Sequence, residues 1–308
     1  MFESFWDESI WCPPNIKWSN FKPDSAQFRD LYYSMITAGI LLLLRSICET
    51  LLFRPLGRYL CSTQVITKAG GDAKKTKRAK SRVVYKFSEG MWRFSFYLCA
   101  SIYGWFFVLW DKPYLKDTIY CLEDYPYHPV KPEEWWYYNI ELGFYVSLLL
   151  TQFIDTKRKD FWQMFVHHIV TILLLVLSWA CNFHRIGALV LAIHDIADIP
   201  MEGAKMAKYC KKQRLADLLF AIFTITWIYT RCYLLPTRVI YFTSYKALSI
   251  IPFFPAYYIF NGLLCLLQIL HLCWTWLIMR MVYDALKNDG MRDLRSDSEE
   301  DSDEFHND

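Results

Sequence analysis

Two adjacent histidines, His167 and His168, lie inside the apolar run FWQMFVHHIVTILLLVLSWA, and the next apolar run carries His194, Asp195, Asp198 and Glu202 within ALVLAIHDIADIPMEGAKM. Histidine paired with carboxylate is suited to taking a proton from a nucleophile near neutral pH, or to accepting an acyl group itself. In a membrane segment each ionisable group is costly and marks function by default. A polar network that merely glues helices accounts for one His–Asp pair. It accounts poorly for six groups in two neighbouring segments.

The elements that must position these groups are membrane helices. The chain is 54% hydrophobic and 18% aromatic over 308 residues, with mean hydropathy +0.12, too apolar for an ordinary soluble domain. Apolar runs of about 17–25 residues, the length that crosses a bilayer, occur at Leu31–Phe53, Met91–Trp110, Trp135–Phe153, Phe161–Ala180, Arg185–Met201, Leu215–Leu235 and Ala256–Met281. The fold class is therefore all-α and multi-pass, with about seven transmembrane helices. The fifth run is the weakest, because its acidic residues and Pro200 interrupt it. Residues 1–30 are polar and Trp-studded without the apolar core of a signal peptide, so the first span is expected to act as an uncleaved anchor.

Lysine and arginine set the orientation. One side, with the Arg54–Lys86 segment, the TKRK turn, Glu202–Arg214 and the C-terminal tail, holds 22; the other holds 9, with Arg45, Arg93 and Arg231 inside spans. The positive-inside rule then places the N-terminus in the lumen and the C-terminus in the cytoplasm. The chain divides into a lumenal N-terminus (1–30), a first transmembrane helix (31–53), a basic cytoplasmic loop without structure (54–86), a membrane domain (87–287) and an acidic disordered tail (288–308).

Depth turns the ionisable residues into geometry. His167 lies roughly 9 Å inside the cytoplasmic face, and Asp195 and Asp198 roughly 10 and 6 Å from it, at ~1.5 Å per helical residue. The connection Cys181–His184 is so short that the two helices are antiparallel neighbours, so both sets meet at one level. Asp195 and Asp198 are spaced i,i+3, and Asp198 is i,i+4 from both His194 and Glu202, at the centre of one polar face. His167 and His168 point about 100° apart, so one of them faces the aspartates. Thr171, one turn on, is placed to orient His167.

Other chemistries fit less well. The chain has seven histidines, and the four inside spans (His167, His168, His194, His271) fall short of the eight-histidine pattern of membrane di-iron oxygenases. A one-metal site of His167 or His168 with Asp195 and Asp198 is conceivable, but the expectation is no metal. HDIAD lacks the second acidic cluster of prenyl and phosphoalcohol transferases. The ten cysteines show no CxxC spacing, so neither a zinc site nor a disulfide framework is indicated, although Cys12 and Cys121 both fall on the lumenal side and could pair. Arg45 and Glu49 pair at i,i+4 in the first span, while Glu141, Asn261 and His271 are further intramembrane polar groups. GGDAKKTKRAKSR sits between two spans, where topogenic charge and anionic lipid explain it better than nucleic acid does. A vestibule of Lys157, Arg158, Lys159, Lys205, Lys208, Lys211 and Lys212 suits a phosphate-bearing donor such as acyl-CoA, although the positive-inside rule alone yields the same side chains. In the tail, Ser296, Ser298 and Ser302 lie among acidic residues that suit an acidophilic kinase, and phosphorylation there adds negative charge.

FWQMFVHHIVT…NFHRIGALVLAIHDIADIPMEGAKMA resembles the signature motif of the ceramide synthases, within the wider TLC-domain family. The resemblance extends through WWYYNIELGFYVSLL, DTKRKDF, LLFAIFTITWIYTR and FNGLLCLLQILHLCWTW, over Val83–Lys287. It implies a multi-pass enzyme of the endoplasmic reticulum membrane that transfers a fatty acyl group from acyl-CoA to the amine of a sphingoid base, sphinganine or sphingosine, giving (dihydro)ceramide. No cofactor is implied beyond acyl-CoA as co-substrate. The implied partners are membrane lipids and a second subunit in a homo- or hetero-dimer, without nucleic acid. The implied fold is six helices in a TLC-type bundle around a lipid cavity, plus one N-terminal span.

Carried over residue by residue, the catalytic positions are His167, His168, Asp195 and Asp198. Asn182, Arg185, His194 and Glu202 fall on motif positions assigned to substrate binding. The expected mechanism has one histidine take the acyl group or the amine proton, with Asp195 or Asp198 fixing its tautomer and stabilising its charge. From a carbonyl ~9 Å deep, about 20 Å of hydrocarbon remains before the lumenal face. The loop at that end, associated with acyl length in this family, comprises Tyr241, Phe242, Thr243, Ser244, Tyr245, Lys246, Ala247, Leu248, Ser249, Ile250 and Ile251. Two departures stand out. The segment 54–86 is too short for the homeobox-like insert of many animal members, and Asn15 opens no glycosylation sequon. The alternative is a non-catalytic TLC-domain lipid sensor or transporter, which binds lipid without turnover.

Overall fold

The computed structural model describes residues 6–61, 73–156 and 158–287; Lys157, Ser296, Ser298 and Ser302 lie outside them. Long helices make up most of the described residues: α1 Phe28–Cys61, α2 Ala73–Tyr103, α3 Pro132–Thr151, α4 Phe161–Ala180, α5 His184–Tyr209, α6 Gln213–Ser249 and α7 Ala256–Lys287. No strand occurs among these residues. By length and hydropathy α1, α4, α6 and α7 are each able to cross a membrane. Helices α2, α3 and α5 bring ionisable side chains that the bundle encloses. Glu141 and Asp195 are 0% exposed, whereas Leu43 of α1 is 68% and Ile225 of α6 is 70% exposed. Charge inside and apolar surface outside is the arrangement of a bundle whose solvent is lipid.

Three boundaries differ from the sequence reading. The basic segment 54–86 is not a loop throughout: α1 runs on to Cys61 and α2 starts at Ala73, because alanine, lysine and arginine favour helix. Helix α5 neither breaks at Pro200 nor ends at Met201, but continues to Tyr209. Proline there removes one backbone bond, and the ion pairs from Glu202 to Arg93 and Lys205 hold the following turn. Residues 241–249 are helical, not loop. Helix α6 continues there through π turns at Ile228–Ile240 and Phe242–Lys246, whose wider register accommodates Pro236.

Helix α1 lies against α3. Ser34 Oγ donates to Asn139 Oδ1 (2.6 Å) and Thr37 Oγ1 to the Asn139 carbonyl (3.0 Å). A Cβ on Gly143 would meet Thr37 Oγ1 at 2.2 Å, so this glycine permits the close approach of the two helices. The Arg45–Glu49 pair forms as its spacing predicts (2.7 Å), and the same guanidinium reaches Asp155 (2.6 Å).

The tight turn between α4 and α5 rests on Asn182, which has φ 59°, a left-handed conformation that asparagine tolerates. Its amide donates to the carbonyls of Pro126 (2.9 Å) and His128 (3.2 Å), and its Oδ1 accepts from Ala26 N–H (3.3 Å). One side chain thereby ties three segments together. Asn182→Ala is expected to cost about 3 kcal/mol, since buried partners lose their bonds and alanine disfavours the turn; thermal unfolding in detergent measures it.

Cys12 and Cys121 are both buried free thiols, so the bridge that the sequence allowed is not made. Nearby, His128 is 1% exposed and neither ring nitrogen has a hydrogen-bond partner. Burial, with His184 and Arg185 close by, pushes its pKa down to about 3. Unfolded, it titrates near ~6.5. Between these values the unfolded chain binds a proton that the native protein does not, so stability falls on acidification by about 1.4 kcal/mol per pH unit. Melting of His128→Phe between pH 7 and pH 5 should show a shallower slope than the parent.

Candidate active site

Helix α4 places His167 and His168 on adjacent positions, with ring centroids 5.8 Å apart. His168 bonds through Nδ1 to Gln152 Oε1 (2.9 Å), at the C-terminal end of α3. His167 packs edge-on against Trp274 (5.5 Å) and lies 6.2 Å from the ring of His271, both on α7. His194 on α5 is 5.0 Å from the His271 ring and donates from Nδ1 to the Val190 carbonyl (2.6 Å). Three histidine rings from three helices thus gather at one place. Among the described residues, no three His, Cys, Asp or Glu side chains are grouped to hold a metal ion.

The carboxylates of α5 are held differently from the expectation. Asp198 Oδ2 accepts from Arg231 of α6 (3.1 Å), and the same guanidinium nitrogen donates to the His194 carbonyl (3.1 Å). Arg231 also lies over the Trp227 ring at 4.2 Å. Asp195 accepts from Tyr137 Oη (3.4 Å) and adjoins the carboxyl of Glu141, both on α3. Glu202 accepts from Arg93 (3.1 Å) and Lys205 (2.8 Å). Neither aspartate bonds His167 or His168, so the carboxylate clamp expected on a histidine is replaced by Gln152. Thr171 does not orient His167 either: its Oγ1 and the His167 Nδ1 are both buried without a partner. For Asp198 the physical reason is competition. A carboxylate buried beside an arginine gains more from that charge than from a neutral imidazole.

Two cavities meet at this place. One opens among Arg93, Asp155, Arg158, Glu202 and Lys205 and reaches His168, Asp198, Arg231 and His271. The other is apolar, walled by Leu174, Leu175, Val190, Leu191 and Leu264, and is lined as well by Thr243, Ala247, Leu248, Ile251 and Phe254. His167, His194 and Tyr145 line both. A Cβ on Gly187, in the apolar wall, would meet Tyr138 Oη at 2.2 Å, and Tyr138 in turn bonds Ser178. Gly187→Val is therefore expected to push α5 from α3 and to cost about 2 kcal/mol or more through overpacking, visible as a lowered melting temperature.

The structure brings together His167, His168, His194 and Asp198, and it places Glu202 at the charged mouth. Asp195 sits behind them, 0% exposed and in neither cavity wall. Asn182 and Arg185 are elsewhere, at the turn between α4 and α5, where Arg185 donates to the carbonyls of Tyr120 (3.4 Å) and Glu123 (3.2 Å). Of the eleven residues from Tyr241 to Ile251, Thr243, Ala247, Leu248 and Ile251 face the apolar cavity. Phe242 is buried in the core, and Thr243 and Ser244 bond Asn261. Tyr241, Tyr245, Lys246, Ser249 and Ile250 are exposed. Of the basic residues expected at a vestibule, Arg158 and Lys205 line the mouth with Arg93, whereas Lys159, Lys208, Lys211 and Lys212 do not. Sequence spacing points to neither Gln152 nor Arg231 as part of the site. Arg231 was visible as an unpaired charge in an apolar run, but no spacing rule connects it to α5.

The family model of the TLC domain matches residues 86–280. Ceramide synthase 4 of Homo sapiens is 35% identical over 97% of this chain and 86% of its own length. Ceramide synthase hyl-1 of Caenorhabditis elegans is 36% identical over 96% of the chain and 84% of its own. Ceramide synthase 5 of Homo sapiens is 43% identical over 73% of the chain and 57% of its own.

Proposed function

We propose that this chain, which belongs to the TLC-domain family and within it to the ceramide synthases, joins a fatty acyl group carried as a CoA thioester to the amine of a sphingoid base. The observation that carries this reading is the meeting of two chemically opposite cavities at His167. A charged mouth with Arg93, Arg158 and Lys205 suits the phosphates of CoA. An apolar cavity suits an acyl chain. The thioester then lies at the waist between them, beside His167, His168 and His194.

The chemistry at the waist is amide formation. The amine nitrogen attacks the thioester carbonyl carbon, its proton passes to an imidazole, the C–S bond breaks and CoA leaves as the thiol after taking that proton. His168 suits the base, because its Nδ1 is engaged by Gln152 and its other nitrogen is left for the reaction. His167 and His194 flank the carbonyl. Arg231 and Asp198 neutralise one another and keep the waist close to electrically neutral before reaction. No cofactor enters this scheme. Purified protein supplied with acyl-CoA and sphinganine should release CoA and N-acyl product in equal amounts. Lipid retained with no product would favour a binding protein.

Thr243, Ala247, Leu248 and Ile251 line the apolar cavity and serve in this reading as its ruler. Ala247→Phe is expected to shift products towards shorter chains, at about 0.8 kcal/mol, or roughly fourfold in selectivity, for each methylene displaced; mass spectrometry of products from mixed acyl-CoAs reads it. The mouth faces the cytoplasm and the N-terminus the lumen, on the excess of lysine and arginine at the mouth's end of the bundle. The endoplasmic reticulum is the membrane that suits this topology and these substrates.

A further inference from the structure

The Gln152 side chain is held at both of its ends. Its Nε2 donates to the Phe161 carbonyl (2.7 Å), so its Oε1 is the atom turned to His168, 2.9 Å from Nδ1. Reversing the amide would set two oxygens against each other at Phe161 and lose that bond. An amide oxygen only accepts, so His168 must donate from Nδ1, and in the neutral ring Nε2 then carries the lone pair. Gln152 caps the end of α3 and Phe161 opens α4, so the bond spans the turn between these helices. Both Gln152 and His168 line the charged cavity.

We propose that Gln152 is a positioning residue that fixes His168 in the Nδ1–H tautomer and aims Nε2 at the amine. This rests on the reading of His168 as the base. In the step itself the amine proton moves to Nε2 while Nδ1–H stays on Gln152 Oε1. The N–C bond forms, the C–S bond breaks, and the imidazolium returns its proton to the departing thiolate. A neutral amide holds the ring without the charge a carboxylate would add. The groups facing His168 are Arg93 of α2, which pairs with Glu202 and Asp155, Tyr145 of α3, His167 of its own helix, and Asp198 with Arg231 across the cavity.

The test compares Gln152→Met, Gln152→Glu and His168→Ala in the full-length protein in detergent, with acyl-CoA and sphinganine and kcat followed from pH 5.5 to 9. Gln152→Met keeps the bulk and removes the bond; kcat should fall on the order of 100-fold with KM for acyl-CoA little changed. Gln152→Glu loses the bond to Phe161 but puts a negative charge on the ring, so the acid limb of kcat should move up by about one pH unit or more. A merely structural glutamine would lower the melting temperature without moving that limb. Unchanged kcat in Gln152→Met, or an unmoved acid limb in Gln152→Glu, overturns the proposal while the base assignment stands, provided His168→Ala is inactive. An active His168→Ala removes both.

Discussion

Replacing Arg231 by methionine is expected to destabilise the protein by about 3–5 kcal/mol, the usual consequence of leaving one member of a buried ion pair alone. Arg231 is 4% exposed and pairs with the Asp198 carboxylate at 3.1 Å. The same guanidinium also holds the His194 carbonyl and covers Trp227, so α6, α5 and the histidine cluster lose a common tie. The double variant Arg231→Met with Asp198→Leu should recover much of the loss, because removing both charges removes the uncompensated burial. Chemical or thermal unfolding in detergent measures both. Equal destabilisation of the single and double variants would show that the contacts to His194 and Trp227, not the charge pair, carry the effect.

His168→Ala is expected to lower kcat by about 10²–10⁴-fold, the range that a positioned general base supplies. Its melting temperature should stay near the parent's, because the ring's one strong bond is to Gln152, whose other end remains on Phe161. His194→Ala should cost less, since its Nδ1 is tied to its own helix at Val190 and its ring flanks the waist without such an anchor from a second helix. Steady-state rates at saturating acyl-CoA and sphinganine separate the two. Equal losses in both variants would mean that the cluster acts as one unit and not through His168.

The stretch from Phe161 to Met206 announced itself because ionisable residues inside apolar runs have few bland explanations. Helical spacing and a four-residue connection then sufficed to bring α4 beside α5. What spacing could not supply was partners from helices distant in sequence. The i,i+3 and i,i+4 relations among His194, Asp195, Asp198 and Glu202 suggested that these groups serve one another. Three of them instead found a partner on another helix, Asp198 with Arg231, Asp195 with Tyr137 and Glu202 with Arg93, while His194 bonds the Val190 carbonyl of its own helix. Gln152 was invisible for a similar reason. A neutral amide at the end of an apolar run carries no signal until the turn folds it back onto α4. Asn182 and Arg185 show the converse, since their place in the motif suggested substrate contact and the fold uses them to fasten the turn.

The central claim is that acyl transfer takes place where the two cavities meet, beside His167. The most direct test is a single assay of purified His167→Ala, given acyl-CoA and sphinganine, that reads CoA release and N-acyl product together against the parent. The account predicts that both fall together in a protein that melts like the parent, by less than in His168→Ala because His167 flanks the carbonyl and does not take the proton. CoA and product formed in equal amounts at a rate near the parent's would contradict it.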